Sequence, residues 1–220
     1  MAKKESTFLN MVLTLFLVTA ISGVTLGFVY NVTKGPIEEA KLRKLNESIG
    51  IVVPGAENAE VSEGIKVIPV DGDEDSEPLL FYEVRKDGEL IGTAIRTYTN
   101  RGFSGYMSVM VGLDPDGVII DSNVLEHRET PGLGDKTCKS VSPWNEQYIG
   151  INPAETNLKV KKDGGDVDAI TAATITARAY SDAIQRAYDN YMNYIQNKDN
   201  NKNSDLSENV QENNNIIEQN

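Results

Sequence analysis

Residues 80–125 read LFYEVRKDGELIGTAIRTYTNRGFSGYMSVMVGLDPDGVIIDSNVL, and this stretch decides the fold. Apolar and polar side chains alternate along it in four runs, which predicts strands at 80–86, 89–99, 106–113 and 118–125. Asp87-Gly88 is typical of a tight hairpin turn, Asp114–Gly117 predicts another, and Gly102–Gly105 is a glycine-rich bend. Four consecutive strands joined by short turns predict an antiparallel meander.

Helical patterns flank this meander on both sides. Residues 37–48 combine charged and apolar side chains at helical spacing. Residues 177–195 place apolar side chains on one helical face, at Ala177, Tyr180, Ile184, Ala187, Tyr188, Tyr191 and Ile195. A meander with helices at its ends predicts the α+β class, here an antiparallel sheet domain that follows an N-terminal transmembrane helix.

The segment before the domain is long and apolar. Residues 8–32 read FLNMVLTLFLVTAISGVTLGFVYNV, without a charged side chain, and are long enough to cross the hydrocarbon core of a membrane. A cleavable signal peptide is the competing interpretation, but its apolar region is shorter, about 7–15 residues. The run continues past Ala20–Gly23 and ends near Tyr30, an aromatic residue suited to the membrane interface. These features favour a retained single-pass anchor.

The remaining boundaries follow from changes in composition. Residues 1–7 are predicted to be a cytoplasmic N-terminus, 33–50 a helical connector that opens at Gly35-Pro36, and 51–196 the folded domain. Residues 197–220 are rich in Asn, Glu and Gln, so we predict a disordered polar tail. Basic residues flank both ends of the span, so the positive-inside rule does not decide its orientation. A short N-terminus before a large acidic domain favours the domain outside the cytoplasm.

Charge and residue counts exclude several functions. The formal net charge of −12 leaves no basic face for a phosphate backbone, so nucleic-acid binding is not expected. The single cysteine, Cys138, and the single histidine, His127, cannot form a Cys/His metal cluster or ligate an iron–sulfur centre alone. Any redox chemistry must therefore come from an organic cofactor or from a partner protein.

Two polar stretches are candidates for a binding site. Residues 129–134 read ETPGLG, a loop in which Pro and Gly prevent both helix and strand, although an ordinary turn would have the same composition. Residues 168–176 read DAITAATIT and precede the long C-terminal helix. Threonine there could cap the helix, or the helix N-terminus could bind a phosphate. Ala172 and Ala173 are small enough to let a bulky group approach the backbone.

The second stretch resembles a known attachment signal. Residues 168–174 are similar to the pattern Asp-x-x-Ser/Thr-Gly/Ala-Ala-Thr of FMN-binding domains in Rnf and Na⁺-translocating NADH:quinone oxidoreductase complexes. In that family a flavin transferase joins FMN through its phosphate to the last threonine. The resemblance therefore implies covalent FMN on Thr174, with Thr176 as the fallback. Ala172 stands where the family more often has glycine.

The 129–134 loop resembles the segment that lies against the flavin ring in the same family. One membrane helix, a meander, this loop and the threonine stretch follow the order found in the G subunit of Rnf complexes, and the resemblance covers residues 7–195. It implies no acid–base catalyst and no metal ligand. The cofactor-site residues that it implies are Glu129, Thr130, Gly132, Leu133, Gly134, Asp168, Thr171, Ala172, Ala173, Thr174 and Thr176.

The resemblance predicts a membrane-anchored flavoprotein that passes electrons within an ion-translocating ferredoxin:NAD⁺ oxidoreductase complex. Its expected partners are the other membrane and peripheral subunits and, during maturation, the flavin transferase. Three alternatives remain at this point. The chain could be the C subunit of a Na⁺-translocating NADH:quinone oxidoreductase, a free-standing extracellular flavin reductase, or a membrane-anchored binding protein without a cofactor.

Overall fold

The N-terminal helix is a single long element. The structure, a computed structural model, describes residues 7–70, 72 and 76–217, and the chain divides into two units after Asn46. Helix α1 spans Phe8–Val52, and the apolar side chains of its first half are exposed. By length and composition, α1 could cross a membrane.

Pro36 lies inside α1, so Gly35-Pro36, which was predicted to open a separate connector helix, does not interrupt it. A proline removes one backbone hydrogen bond from a helix, and the remaining bonds on either side can keep the helix continuous. The end of α1 belongs to the second unit, where Ser48, Ile49 and Val52 are buried.

The second unit contains one antiparallel sheet. Its strands are β1 (Glu60–Val61), β2 (Ile65–Val67), β3 (Leu79–Lys86), β4 (Glu89–Gly102), β5 (Gly105–Leu113) and β6 (Ile119–His127). The strand order is β1-β3-β4-β5-β6, and β2 pairs with β3 beside β1. The predicted four-strand meander and the α+β class are confirmed, with β4 and β6 slightly longer than their sequence patterns.

The turns of the meander have the backbone conformations that their residues favour. Asp87 and Gly88 both have positive φ, 53° and 84°, as a two-residue type I′ turn requires. Gly105, with φ of 93°, closes the β4–β5 hairpin, so Phe103 lies at its tip. These turns bring β4, β5 and β6 side by side, and the ends of β4 and β6 meet near the start of the C-terminal helix.

Helix α2 spans Thr174–Ile217 and packs against β4 and β5. The apolar face predicted from its sequence forms the core with inward-facing strand residues. The largest fully buried side chains in this core include Phe81, Leu79, Ile95, Met107, Leu113, Tyr148, Tyr180, Ile184 and Tyr191. On the other side of β5, the Val52 carbonyl oxygen lies 2.0 Å from where a Cβ on Gly112 would be, so only glycine fits there.

The described backbone of α2 continues as helix to Ile217, through the segment whose composition predicts disorder. No glycine or proline occurs between Thr174 and Ile217, so nothing in that segment breaks a helix once it has started. Low hydrophobicity alone does not prevent a polar sequence from continuing a helix that is packed at its N-terminal end.

Glu83 on β3 anchors the middle of α2 to the sheet. Its carboxylate accepts a hydrogen bond from the Tyr194 hydroxyl at 3.0 Å and pairs with Arg85 at 3.0 Å and with Lys198. Burial raises the pKa of Glu83, but the hydrogen bonds from Lys198, Arg85 and Tyr194 together outweigh it and lower the pKa below its ordinary value. The ionised form is therefore the form that stabilises the fold.

We expect Glu83→Gln to lower the free energy of unfolding by about 1–2 kcal/mol at pH 7, because two cations lose their anionic partner and both cations are partly exposed to solvent. A carboxyl with a depressed folded-state pKa stabilises above its unfolded pKa, and that contribution is lost as pH falls through the folded value. The difference between variant and wild type should therefore begin to fall only below the ordinary pKa of a glutamate, about 4.3, and should vanish once the pH is below the lower folded-state pKa. Thermal unfolding of the full chain in detergent checks this, with the exposed Glu89→Gln as the control; a difference that persists at low pH would contradict it.

Candidate functional site

A pocket of about 340 Å³ lies at the N-terminus of α2. This volume is within the usual range of small-molecule sites, about 300–1,000 Å³. The residues that line it come from the β4–β5 hairpin, the loop after β6 and the start of α2: Phe103, Glu129, Thr130, Leu133, Gly134, Ala172, Ala173, Thr174, Ile175 and Thr176. The two stretches singled out in the sequence thus meet in one place.

The loop after β6 is shaped by a tight turn over residues 130–133. The Leu133 amide donates to the Thr130 carbonyl oxygen at 3.1 Å, and Gly132 has a φ of 77°. Proline in the second position and a positive-φ glycine in the third are typical of a type II turn. Gly132 therefore acts through the backbone and does not line the pocket, whereas Leu133 is carried to the pocket wall.

Glu129 is buried in the wall of the pocket, with 5% of its surface exposed. One carboxylate oxygen accepts the Ser104 amide at 3.2 Å, and the other accepts the Thr176 hydroxyl at 2.8 Å. The Glu129 amide in turn donates to Nδ1 of His127 at 3.1 Å. No salt bridge to Glu129 occurs within the part of the chain that the structure describes. His127 therefore helps to order this loop.

Two glycines enclose the Glu129 carboxylate. A Cβ on Gly102 would lie 2.6 Å from Oε1, and a Cβ on Gly134 would lie 2.5 Å from Oε2. Contacts this short do not occur for real Cβ atoms, so Gly134 must lack a side chain while Glu129 keeps its place. A Cβ on Gly102 would also lie 2.5 Å from the Gly105 carbonyl oxygen, so that position requires glycine independently of Glu129. Gly134, at the end of the 129–134 motif, therefore leaves the space that Glu129, at its beginning, occupies.

Thr174 is the first residue of α2 and is half-buried at the pocket. Its hydroxyl oxygen accepts a hydrogen bond from Lys162 Nζ at 3.5 Å. Among the described side chains, none provides an oxygen cap for the first amides of α2, and the cap position is occupied by Ala173. An uncapped helix N-terminus beside a lysine favours a negatively charged group such as a phosphate.

Thr176 and Thr171 differ from Thr174 in their surroundings. Thr176 is 1% exposed and its hydroxyl is already bonded to Glu129, so this residue belongs to the packing of the pocket wall. Thr171 is exposed and lies outside the pocket lining. Of the three threonines, only Thr174 presents its hydroxyl at both the pocket and the start of the helix.

The turn before Thr174 holds Ala172 in a left-handed conformation. The Ala173 amide donates to the Ile170 carbonyl oxygen at 3.0 Å, and Ala172, the third residue of this turn, has a φ of 63°. A non-glycine residue in this region costs about 1–2 kcal/mol. The backbone conformation at Ala172 thus agrees with the glycine that the family pattern allows at this position.

We expect Ala172→Gly to raise the free energy of unfolding by about 0.5–1 kcal/mol, because relief of the positive φ exceeds the added flexibility of glycine in the unfolded chain. Chemical denaturation measures the difference. The matched control is Ala154→Gly, an exposed alanine without positive φ, which should be neutral or destabilising. Equal effects of the two substitutions would contradict the explanation.

Asp168 lies outside the pocket, and its backbone is held by a short 3-10 helix at Pro143–Tyr148. Its carbonyl oxygen accepts the Trp144 indole N–H at 2.7 Å, and its amide donates to Gln147 Oε1 at 2.8 Å. The Asp168 carboxylate is exposed and pairs with Lys161 at 2.8 Å. These bonds fix the start of the threonine stretch while its carboxylate faces solvent.

Three residues at the site were not predicted from the sequence. Phe103, Ile175 and Lys162 are exposed side chains around the pocket, with Phe103 at 68% and Ile175 at 46%. A phenylalanine between the glycines of a hairpin tip is a detectable signal, because an exposed aromatic residue in a tight turn has no core to fill. No local pattern marks Lys162, which approaches Thr174 only in the folded chain.

A larger groove of about 720 Å³ shares only Ile175 with the candidate pocket. Ion pairs connect four of its five charged side chains, Arg178 with Asp163 and Arg101 with Asp182. Thr174 does not line this groove, so the smaller pocket is the one that combines a hydroxyl, a helix N-terminus and apolar walls.

The residues at the smaller pocket fit a flavin mononucleotide. Thr174, the first amides of α2 and Lys162 suit the phosphate end, and the part-exposed Phe103, Leu133 and Ile175 offer apolar surfaces to a planar ring. Ala172 and Ala173 leave room for close approach to the backbone. The pocket is open, so a ring bound there would keep one part accessible to a second redox group.

Comparisons with known proteins give the same assignment. Residues 102–189 match the family described as FMN-binding domain. The G subunit of the ion-translocating oxidoreductase complex of Aliivibrio fischeri strain ES114 is 33% identical over 81% of this chain and 86% of its own length. The G subunits of the same complex from Erwinia tasmaniensis and Vibrio atlanticus are 42% identical over 50% and 48% of this chain, and over 53% and 52% of their own lengths.

The Aliivibrio match covers four-fifths of the chain and therefore extends well beyond the FMN-binding segment. The FMN-binding match begins at the β4–β5 hairpin and ends within α2, and so contains both motifs. The family predicted from these motifs is confirmed: the chain belongs to the G-subunit family of ion-translocating oxidoreductase complexes.

Proposed function

We propose that this protein is an electron-carrying flavoprotein subunit of an ion-translocating ferredoxin:NAD⁺ oxidoreductase complex, with FMN joined by a phosphodiester to Thr174. The observation that carries the proposal is the position of the Thr174 hydroxyl, at an uncapped helix N-terminus, 3.5 Å from Lys162 and on the wall of a pocket with apolar sides. When bound, FMN would accept electrons and pass them on.

The chain's own residues would bind and orient the cofactor. Lys162 and the first amides of α2 would neutralise phosphate charge at Thr174. Leu133 and Phe103 would pack against the ring from the loop after β6 and from the β4–β5 hairpin. Thr130 lies on the same wall and has a hydroxyl for a polar ring edge. No acid–base catalyst is required of the protein.

Attachment would need a flavin transferase as a transient partner. The Thr174 oxygen would form a new bond to the phosphorus of the flavin donor. The bond from that phosphorus to its leaving group would break, and the Thr174 hydroxyl would lose its proton. Asp168 and Thr171 are exposed beside the pocket, so an enzyme could contact both without entering it. The Trp144 and Gln147 bonds to the Asp168 backbone would keep the acceptor stretch in one conformation during that contact.

The long apolar α1 supports a membrane location, with residues 8–32 as a single-pass anchor. We place the N-terminus in the cytoplasm and the flavin domain outside it, with the other complex subunits as membrane and peripheral partners. Protease treatment of intact cells tests this orientation. Cleavage of the domain without lysis supports it, and protection until lysis overturns it.

The flavin proposal is tested by expressing the full chain with a flavin transferase. The purified protein should be yellow, and its mass should exceed the mass of the polypeptide by one FMN less one water. The visible spectrum should bleach on reduction and recover with an electron acceptor. A colourless protein of unmodified mass from a host with an active transferase would instead support a binding protein without a cofactor. Co-purification with other membrane subunits would argue against a free-standing reductase.

A further inference from the structure

We propose that Glu129 sets the midpoint potential of the flavin, as a buried negative charge that disfavours reduction. The inference rests on the proposed function and extends it, because it assigns a task to a residue that neither binds the phosphate nor needs to touch the ring. Its basis is the unusual environment of this carboxylate within the pocket wall.

The protein maintains the carboxylate at a structural cost. Glu129 is 5% exposed, and Gly134 cannot carry even a methyl group without meeting the Glu129 side chain. Two donors from different elements, the Ser104 amide and the Thr176 hydroxyl, point at its two oxygens. A residue needed only to fill space could be apolar here, since a buried charge costs more than a buried hydrocarbon.

The donors around Glu129 are neutral. They stabilise the charge locally by hydrogen bonding, but neither cancels it, and the salt bridges found among the described residues do not include Glu129. Lys162 is bonded to Thr174 at the attachment point instead. A negative charge without a cationic partner in a partly closed pocket acts over a longer distance than a paired charge on the surface.

Reduction adds negative charge to a flavin unless each electron is accompanied by a proton. A carboxylate on the wall of the same pocket opposes that added charge and lowers the potential. For unit charges within about 10 Å at an effective dielectric constant of about 20, the effect on the ratio of reduced to oxidised flavin is about tenfold or more. Tenfold corresponds to about 30 mV for a two-electron couple.

The test is a spectroelectrochemical titration of the full-length, flavin-loaded protein at pH 8, comparing wild type, Glu129→Gln and Glu129→Asp. Glutamine matches the shape, can accept from the Ser104 amide and can donate to the Thr176 hydroxyl, so both hydrogen bonds can persist without the charge. We expect Glu129→Gln to raise the midpoint potential by about 30 mV or more, while Glu129→Asp, which keeps the charge but disturbs the packing, stays near wild type.

Several results would overturn the inference. An unchanged or lower midpoint potential in Glu129→Gln would contradict the inference. Equal shifts in Glu129→Gln and Glu129→Asp would also contradict it, because they would reflect packing alone. If Glu129→Gln does not accumulate, Glu129→Met tests the same charge, because methionine is unbranched, similar in length and uncharged, and it should likewise raise the potential. An unchanged potential there also overturns it. A wild-type protein without flavin would end both proposals, whereas a flavin protein indifferent to Glu129 would end only this one.

Discussion

Thr174→Val is expected to abolish covalent flavin attachment, so that the purified protein has the mass of the bare polypeptide. Valine keeps the shape of threonine but has no hydroxyl to bond to phosphorus. The fold should survive, because Thr174 is half-buried and the hydrogen bond described for its side chain is a 3.5 Å contact with Lys162. We expect the free energy of unfolding to change by no more than about 0.5 kcal/mol.

The matched control is Thr176→Val, two residues further along the same helix turn. Its hydroxyl is buried and bonded to Glu129, so this variant should lose stability, by about 1–2 kcal/mol, and still carry covalent flavin. Intact-protein mass and in-gel flavin fluorescence distinguish the two variants directly. Attachment that survives in Thr174→Val and disappears in Thr176→Val would move the acceptor to Thr176 and refute the assignment.

The elements of the sheet could be predicted because their signals are local. Alternating side chains mark the strands, and Asp87-Gly88 encodes a turn whose two positive φ angles those residues tolerate. Element ends were less predictable: β6 runs to His127, since pairing with Met107 on β5 extends it beyond its alternating pattern. The continuation of α1 through Pro36 likewise depends on the whole helix and not on the dipeptide.

Only those site residues that belong to a known sequence motif could be predicted. The family pattern singled out Thr174, yet nothing local showed that Glu129 bonds to Thr176, which is 47 residues away. The same holds for Lys162, whose contact with Thr174 needs both residues in place. The positive φ of Ala172 is a local property, but an alanine in the sequence does not indicate a positive φ, whereas a glycine would have done. Contacts that join distant elements are a property of the fold and not of any short stretch.

Gly134→Ala is expected to be strongly destabilising, with a loss of about 2–4 kcal/mol. The added Cβ would lie 2.5 Å from Glu129 Oε2, 2.8 Å from Glu129 Cβ and 2.9 Å from the Thr176 hydroxyl oxygen. To relieve these contacts Glu129 must move, which combines overpacking with the loss of a hydrogen bond to a buried carboxylate. The unfolding temperature of the full chain in detergent should fall by about 5–15 °C, and flavin occupancy should fall with it.

Gly132→Ala, in the same loop, separates this clash from backbone strain. Gly132 has a φ of 77° and nothing within 4 Å of its would-be Cβ, so alanine there should cost only about 1–2 kcal/mol. If the Glu129 carboxylate is the obstacle, removing it should reduce the cost of the added methyl group. The double variant Gly134→Ala/Glu129→Ala should therefore lose less unfolding free energy than the sum of the losses in the two single variants. A strictly additive double variant, or a Gly134→Ala cost no larger than that of Gly132→Ala, would show that Gly134 is required for some reason other than Glu129.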